Sequence, residues 1–181
     1  MGKATTEELI LTAFDEGRME TCFRLILSEY KEQMYWHIRK IVHSHDEADD
    51  AVQTTFIKTW QNLSKFNRDS KLSTWLYRIA TNEALQLLRK RKPNVPIDDM
   101  ILSQIEKSAS SIDELDGEEI EKKLNQAILQ LPNKQRLVFN MKYFDEMKYQ
   151  EISEILETSV GALKASYHIA VKKIEEFLNE N

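Results

Sequence analysis

Glycine, proline and cysteine are scarce in this sequence. Its 181 residues include only 4 Gly and 3 Pro, whereas these two types make up about 12% of an average protein. Because barrels and sandwiches need a turn about every 8–12 residues, this scarcity argues against a fold of many strands. It also excludes the glycine-rich loops that hold phosphate in many nucleotide-binding proteins. The single cysteine, Cys22, excludes an internal disulfide and a cysteine-based zinc site.

Long apolar runs and catalytic clusters are absent as well. No apolar run approaches the roughly 20 residues of a membrane-spanning helix, and no secretory signal is present. The 4 histidines form no spacing suited to zinc, and no carboxylate lies in an apolar stretch where a shifted pKa would indicate acid–base catalysis. We therefore expect a cytoplasmic protein that does not insert into membranes, uses no metal or cofactor, and offers no good candidate for a catalytic site.

Charge is distributed unevenly along the chain. The net charge is −5, which by itself argues against nucleic acid as a partner. Residues 67–93, however, hold 7 positive and 2 negative side chains and end in a basic run at 89–92. Residues 94–131 hold 3 positive and 9 negative side chains. A solvated helix end is the alternative explanation of the basic run, because cations are favourable near a helix C-terminus.

The beginning of the chain has the periodicity of amphipathic helices. Apolar residues recur at spacings of three and four from Met19 to Ile41, which predicts one long helix. Thr5 and Glu8 form a capping-box pattern for a shorter helix that precedes it and ends at Gly17.

Two more helices are predicted in the N-terminal half. Ser44 or Asp46 can cap the first of them, and Ser70 can cap the second, which runs from about residue 71 to residue 91. The stripe predicted to be buried in the first helix is Ala48, Val52, Phe56, Trp60 and Leu63. The apolar stripe of the second is Leu76, Ile79, Ala80 and Leu87.

The C-terminal half is also predicted to be helical. Apolar residues between 120 and 131 indicate one helix, and Pro132 permits another to start. Helices at about 149–156 and 160–178, the second capped by Ser159, are typical of a helix-turn-helix, although an ordinary helical hairpin gives the same pattern. Residues 93–117, between the halves, are rich in acidic side chains and serine and contain Pro93 and Pro96, so we predict a flexible acidic linker there.

One face of the helix near residues 71–91 combines aromatic, basic and amide side chains. Arginine neutralises phosphate, asparagine and glutamine pair with base edges, and tryptophan stacks on unpaired bases. The face therefore predicts a nucleic-acid contact, with a solvated helix face as the alternative. Its residues are Trp75, Arg78, Asn82, Gln86 and Arg89. The preceding loop adds Phe66, Asn67, Arg68, Lys71 and Ser73.

The helix before that loop carries a second distinctive stripe. Asp50, Gln53, Thr54 and Ile57 lie side by side next to its core face, with the apolar Ile57 among polar neighbours. Such a stripe either docks a protein partner or is the edge of a wide core face.

These motifs resemble those of a known family. Three segments of the N-terminal half resemble region 2 of bacterial RNA polymerase sigma factors. They are DDAVQTTF at residues 49–56, Lys65-Phe66, and STWLYRIATN at residues 73–82. The likeness is to the small extracytoplasmic-function class (group IV) of the sigma-70 family. Four segments of the C-terminal half resemble region 4 of the same class. They are LPNKQR at residues 131–136, YF at 143–144, YQEI at 149–152 and VGALK at 160–164.

The resemblance implies an all-α fold of two small domains: region 2 at residues 1–92 and the region 4 helix-turn-helix at 118–181, joined by the linker at 93–117. It implies that the N-terminal domain binds the β′ clamp helices of core RNA polymerase and melts and reads the −10 promoter element. Region 4 is implied to bind the β-flap and the −35 element, and an anti-sigma factor is a possible partner.

The resemblance also implies which residues make these contacts. Those for core polymerase are Asp49, Asp50, Gln53, Thr54 and Ile57. Those for −10 DNA are the loop and helix residues already named, from Phe66 to Arg89. Those for −35 DNA are Gly161, Ala162, Lys164, Ala165, Ser166, His168, Ile169 and Lys172.

The sequence departs from the family pattern in three places. Thr54 stands where an acidic residue is common, and Glu157 replaces the usual glycine of the helix-turn-helix turn, where a positive φ costs energy. The recognition helix is also poor in arginine. Two other readings remain open from the residues: a free-standing helix-turn-helix regulator whose N-terminal half senses a ligand or partner, and a helical adaptor that binds only protein.

Overall fold

The structure, a computed structural model, describes residues 5–91 and 119–180. Every regular element in these two ranges is a helix, which confirms the predicted all-α class. The chain divides into two compact units, Met1–Ala84 and Leu85–Asn181. We call them the N-terminal and the C-terminal unit. The acidic linker predicted at residues 93–117 lies outside the described residues.

Four α-helices and one 3₁₀ turn form the first described range. They are α1 (Thr6–Asp15), α2 (Met19–Val42), α3 (His45–Asn62), the turn Leu63–Lys65, and α4 (Leu72–Arg91). Four more helices form the second range. They are α5 (Glu119–Leu129), α6 (Asn133–Tyr143), α7 (Tyr149–Leu156) and α8 (Val160–Glu180).

The predicted start of the chain is confirmed. Thr5 caps α1 through a full capping box, in which the Glu8 N–H donates to Thr5 Oγ1 at 3.3 Å and the Thr5 N–H donates to Glu8 Oε2 at 2.7 Å. Gly17 follows the helix with a φ of +70°, a conformation that glycine adopts without strain. The long helix predicted from Met19 is α2, and it buries Ile26, Met34 and Ile38 completely.

Polar contacts connect α2 and α4 inside the N-terminal unit. His37 is buried, and its Nε2 lies 2.8 Å from Thr81 Oγ1 in a hydrogen bond between the two helices. Its ring also meets Tyr77 edge-on, with centroids 4.9 Å apart. A buried histidine that is satisfied in this way serves to fix the position of α4.

The predicted core stripe of α3 is wrong at Trp60, whereas its other members, including the last, Leu63, are buried. Trp60 is 45% exposed and packs edge-on against Phe23 at 5.2 Å, whereas Thr55 and Thr59 are buried. The reason is geometric: each step of four residues turns a side chain about 40° around the helix, so three steps from Ala48 to Trp60 turn it about 120° away. The buried threonines remain satisfied because each hydroxyl donates to the carbonyl four residues earlier.

Two details of α4 also differ from the prediction. The helix begins at Leu72, and the Trp75 N–H donates to the Lys71 carbonyl, so Lys71 rather than Ser70 stands at the N-cap. Leu88 is fully buried, where Leu87 had been expected on the apolar stripe.

The C-terminal unit encloses an apolar core. Phe139 of α6 stacks on Tyr167 of α8, with centroids 5.8 Å apart. Tyr143 of α6 is 52% exposed, and its ring stacks on that of Phe139 with centroids 5.2 Å apart. The buried members of this core are Ala127, Ile128, Leu131, Phe139, Ala170 and Ile174.

A buried arginine connects α5 to α6. Arg136 is only 3% exposed, and its guanidinium donates to the Leu129 carbonyl at 3.1 Å and to Asn133 Oδ1 at 2.9 Å. Burial lowers the pKa of this guanidinium from its usual value to about 10. One donor thus satisfies the Leu129 carbonyl at the C-terminus of α5, which has no partner within its own helix, and the other holds the first residue of α6.

The helix-turn-helix is confirmed. A three-residue turn, Glu157, Thr158 and Ser159, separates α7 from α8. Glu157 takes a left-handed conformation with a φ of +51°, the positive φ that the missing glycine would have supplied without strain. Ser159 Oγ accepts from the Ala162 N–H at 3.3 Å and so caps α8, as predicted.

Candidate functional site

A pocket of about 320 Å³ opens between α3 and α4 in the N-terminal unit. Asn82 and the half-buried Trp75 line it from α4. These are two of the residues predicted to contact nucleic acid, and the structure brings them to one pocket. The complete lining is Lys58, Asn62, Lys65, Trp75, Ile79, Asn82 and Glu83.

An ion pair forms part of the pocket wall. Lys58 Nζ of α3 lies 2.5 Å from Glu83 Oε1 of α4. The Glu83 side chain is only 10% exposed and that of Lys58 is 41% exposed, so the carboxylate lies inside and the ammonium reaches the rim. Lys65 adds a second cation to the lining. The wall therefore carries more positive than negative charge, which suits a ligand with anionic groups.

The loop between the 3₁₀ turn and α4 rests on an aromatic chain. Phe66 is buried and meets Trp75 at 5.2 Å and Phe14 of α1 at 5.9 Å. Arg68 has a φ of +64° and forms an ion pair with Asp15. Asn67 Nδ2 donates to Asp69 Oδ2 at 2.5 Å, which closes the tip of the loop on itself.

The rest of the predicted α4 face points outward. Asn82, Gln86 and Arg89 are exposed, and Arg78 is half-buried. The Arg78 Nε is buried and has no hydrogen-bond partner within residues 5–91 or 119–180. A buried donor of this kind normally has a partner, so this position is suited to an acceptor supplied by a bound molecule.

The predicted docking stripe on α3 is exposed over its whole length. The members Asp49, Asp50, Gln53 and Thr54 are all exposed, and Ile57 is 57% exposed. Trp60, one turn beyond Ile57, extends the apolar end of the stripe, because residues three apart are neighbours on a helix. Sequence reasoning missed this extension by placing Trp60 in the core.

The outward face of α8 combines small and apolar side chains with Lys164, His168 and Lys172. Of the residues predicted to contact −35 DNA, all are exposed except the half-buried Ser166. A Cβ added to Gly161 would meet nothing within 4 Å, so packing inside the chain does not require glycine there. Ile169 is 44% exposed. These side chains allow another molecule to approach the helix closely.

A cation–aromatic cluster lies beside α8 and was missed from the sequence. The ammonium groups of Lys142 and Lys164 lie 5.2 Å and 5.9 Å from the centroid of the Tyr149 ring. Burial and, to a lesser extent, Tyr167 raise the pKa of Tyr149. Lys164 is therefore held at the start of α8 by a side chain of the preceding helix.

Two negative findings apply to the described part of the chain. Residues 5–91 and 119–180 contain no group of histidine, cysteine and acidic side chains that could hold a metal ion. None of the helices in these ranges is both long enough and apolar enough to cross a membrane.

Comparison with known proteins identifies two matching family segments. Residues 26–93 match Sigma-70 region 2 and residues 111–174 match Sigma-70, region 4. The ECF RNA polymerase sigma factor SigW of Bacillus subtilis is 34% identical over 158 residues, covering 82% of this chain and 84% of SigW. The RNA polymerase sigma-H factor of Pseudomonas aeruginosa is 29% identical over 165 residues, 86% of each chain.

Two solved structures share the fold. CnrH, in complex with the cytosolic domain of CnrY, superposes with a TM-score of 0.68 at 19% identity, over 98% of this chain and 99% of CnrH. The sigma factor RpoE of Bartonella quintana, in complex with the anti-sigma factor NepR, gives 0.65 at 23% identity, over 87% and 96%. Since both region matches and a 34% identical relative cover the same two halves, the chain belongs to the ECF RNA polymerase sigma factors of the sigma-70 family.

Proposed function

We propose that this sigma factor directs core RNA polymerase to its promoters through three surfaces. The exposed stripe of α3 binds the β′ clamp helices, the pocket between α3 and α4 takes part of the melted −10 strand, and the outward face of α8 lies in the major groove of the −35 element. The pocket is the observation that carries the proposal, because it joins a stacking side chain, a base-reading amide and cations in one place.

The side chains that line the pocket are suited to binding an unpaired nucleotide. Trp75 offers a ring for stacking, and stacking is possible only on a base that has left the duplex. Asn82 has both a donor and an acceptor, so it can distinguish one base edge from another. Arg78, with its buried Nε, and the exposed Arg89 lie on the same helix face and suit phosphates, which add affinity without choosing a sequence.

Phe66, the loop that follows it and Ser73 at the start of α4 are proposed to support this strand, but not all of these residues stack on a base. Phe66 is buried behind Trp75, so its proposed role is to hold that ring in place. Asn67 and Lys71 are exposed at the loop surface and remain proposed strand contacts, together with Ser73.

At the −35 element we propose contacts that depend on shape as much as on hydrogen bonds. Gly161, Ala162, Ala165 and Ile169 present apolar surface that packs well on thymine methyl groups. Around them, Lys164 and Lys172 are proposed to hold phosphates, with Ser166 and His168 as further contacts. We expect a −35 sequence that contains A·T pairs and is read partly by its groove geometry.

The partners follow from this role. Core polymerase supplies the catalytic chemistry and its metal, so we propose that the sigma factor itself is not an enzyme and acts in the cytoplasm, where polymerase acts. Two structures of the same fold are complexes with CnrY and with the anti-sigma factor NepR. We propose an anti-sigma factor as a partner of this chain too. The match to Sigma-70 region 2 covers the half in which a free-standing regulator would carry its sensor, and so disfavours that alternative.

Runoff transcription with core polymerase tests the proposal directly. We expect specific transcripts from a promoter library only when this chain is added, and only weak duplex binding without polymerase. Gln53→Lys combined with Ile57→Lys should abolish pull-down of core polymerase while circular dichroism stays normal, since both side chains are exposed. Gln33→Lys, which adds a positive charge at an exposed position of α2, is the control and should bind as wild type. Unchanged binding by the double variant would contradict the docking assignment.

A further inference from the structure

Arg68 ties the loop of the N-terminal unit to α1. Its guanidinium forms an ion pair with Asp15, the last residue of α1, and lies 5.5 Å from the centroid of the Phe14 ring. The Phe14 ring in turn meets Phe66 edge-on. The last turn of α1 therefore contacts the loop at two points, the buried ring of Phe66 and the charged side chain of Arg68.

Both members of the ion pair occupy positions that are unfavourable without it. Arg68 has a φ of +64°, which costs a residue with a Cβ about 1–2 kcal/mol. Asp15 stands at the C-terminus of α1, where the helix dipole disfavours a carboxylate, and no basic residue occupies that last turn. The contact between them offsets part of these costs.

The pair is also exposed enough to be exchanged. The side chains of Arg68 and Asp15 are 42% and 60% exposed, and ion pairs of this kind are weak in water. A guanidinium can donate two N–H groups to a phosphate in the same forked geometry that it uses with a carboxylate. An incoming strand can therefore compete with Asp15 for the same donors.

We propose that Asp15 occupies, in the free protein, the place on Arg68 that a phosphate of the melted −10 strand takes in the promoter complex. Asp15 is then a positioning residue: it keeps the loop ordered before DNA arrives and is displaced when the strand enters. The inference rests on the proposed −10 function. It assigns a role to α1, which lies before the residues that match Sigma-70 region 2.

The experiment measures binding of a fluorescent single-stranded −10 oligonucleotide to holoenzyme assembled from core polymerase and each variant. Asp15→Asn removes the competing charge and should tighten binding about 1.5- to 5-fold, the range that corresponds to an exposed ion pair. Glu16→Gln is the matched control, because it removes the same charge one residue away, from a carboxylate that pairs with Arg18 instead. It should bind as wild type.

A double variant separates exchange from a general effect of charge. Arg68→Gln should weaken binding, and Asp15→Asn added to Arg68→Gln should change nothing further, since the gain passes through Arg68. Weaker binding by Asp15→Asn would overturn the proposal in favour of a purely bracing contact. An equal gain in Glu16→Gln, or a gain that persists without Arg68, would also overturn it.

The outcomes distinguish this inference from the function on which it rests. If wild-type holoenzyme binds the oligonucleotide but Asp15→Asn is indistinguishable from it, only the exchange is wrong. If wild-type holoenzyme shows no preference for the −10 strand over an unrelated strand, the proposed function and the exchange both fail.

Discussion

The two units differ in how their candidate surfaces relate to their interiors. In the N-terminal unit the pocket wall contains Glu83, a largely buried carboxylate, and its partner Lys58. In the C-terminal unit, none of the residues on the exposed side of α8 belongs to the apolar cluster around Phe139. The first surface is continuous with the structure that supports it, whereas the second is a separate face of a helix.

This difference predicts how mutations act. A change in the ion pair of the pocket wall alters stability and recognition together, because the largely buried Glu83 serves both. An exposed lining residue such as Asn82 acts mainly on recognition. A change in the core beneath α8 alters stability and leaves recognition intact, and a change on its outer face alters recognition without disturbing the core. Each prediction that follows tests whether stability and recognition are joined in the first unit and separable in the second.

The largest effect is expected for Arg136→Ala. The substitution removes the hydrogen bonds to Leu129 and Asn133, and we expect the free energy of unfolding of the C-terminal unit to fall by about 3 kcal/mol. Hydrogen exchange of α5 and α6 amides measures the loss. The −35 base preference of the folded fraction should not change. Arg136→Met is the control that keeps the apolar stem: a full recovery of stability in it would show that packing, not hydrogen bonding, is responsible.

The next effect is expected for Lys58→Met in the N-terminal unit. It leaves Glu83 without its cation, which should cost about 2 kcal/mol of stability, less than for a fully buried pair because Lys58 is partly exposed. Unlike Arg136→Ala, it should also change the base preferred at one −10 position. Urea unfolding and binding to a set of −10 strands measure the two effects. Adding Glu83→Gln should restore stability; a stability loss with unaltered −10 preference would separate what we expect to be joined.

Asn82→Ala should act on base choice with little loss of stability, since Asn82 is exposed. We expect it to cost about 1–3 kcal/mol of discrimination at one −10 position. Arg89→Ala is the comparison: it should weaken melting on every promoter and reduce its dependence on salt. Permanganate footprinting on a promoter series measures both. A large drop in melting temperature for Asn82→Ala with unchanged preference would mean that Asn82 braces the loop.

Gly161→Ala should give the smallest effect, and its two components should have opposite signs. Alanine is favoured over glycine in a helix by about 0.5–1 kcal/mol, and the added Cβ meets nothing in the chain, so stability should rise. Binding to −35 duplex should fall if DNA approaches this position closely. Gly161→Ala that binds normally would remove Gly161 from the −35 surface.

Features set by one helix were predictable from the sequence. The capping box of Thr5 and Glu8 and the span of α2 depend on spacing within a single element, and both are confirmed. Trp60 was misplaced for a related reason, because a stripe with a spacing of four drifts around the helix.

Features made by two helices were not predictable. The pocket receives Lys58 and Asn62 from α3 and Lys65 from the 3₁₀ turn, because this segment packs beside α4. Periodicity within one helix does not specify which helix becomes its neighbour. The pair of Asp15 and Arg68 joins residues 53 apart in the chain. Nothing in the sequence indicates that Glu83 of α4 pairs with Lys58 of α3.

The buried position of Cys22 makes this protein convenient to label. Cys22 lies on α2, and its side chain is fully buried. Because burial also raises the pKa of its thiol, little reactive thiolate is available to a maleimide. Cysteines introduced at the exposed positions Glu29 and Lys173 would therefore be the sites of modification, one in each unit. A donor and an acceptor dye at these positions would report the distance between the units as polymerase, promoter or an anti-sigma factor binds.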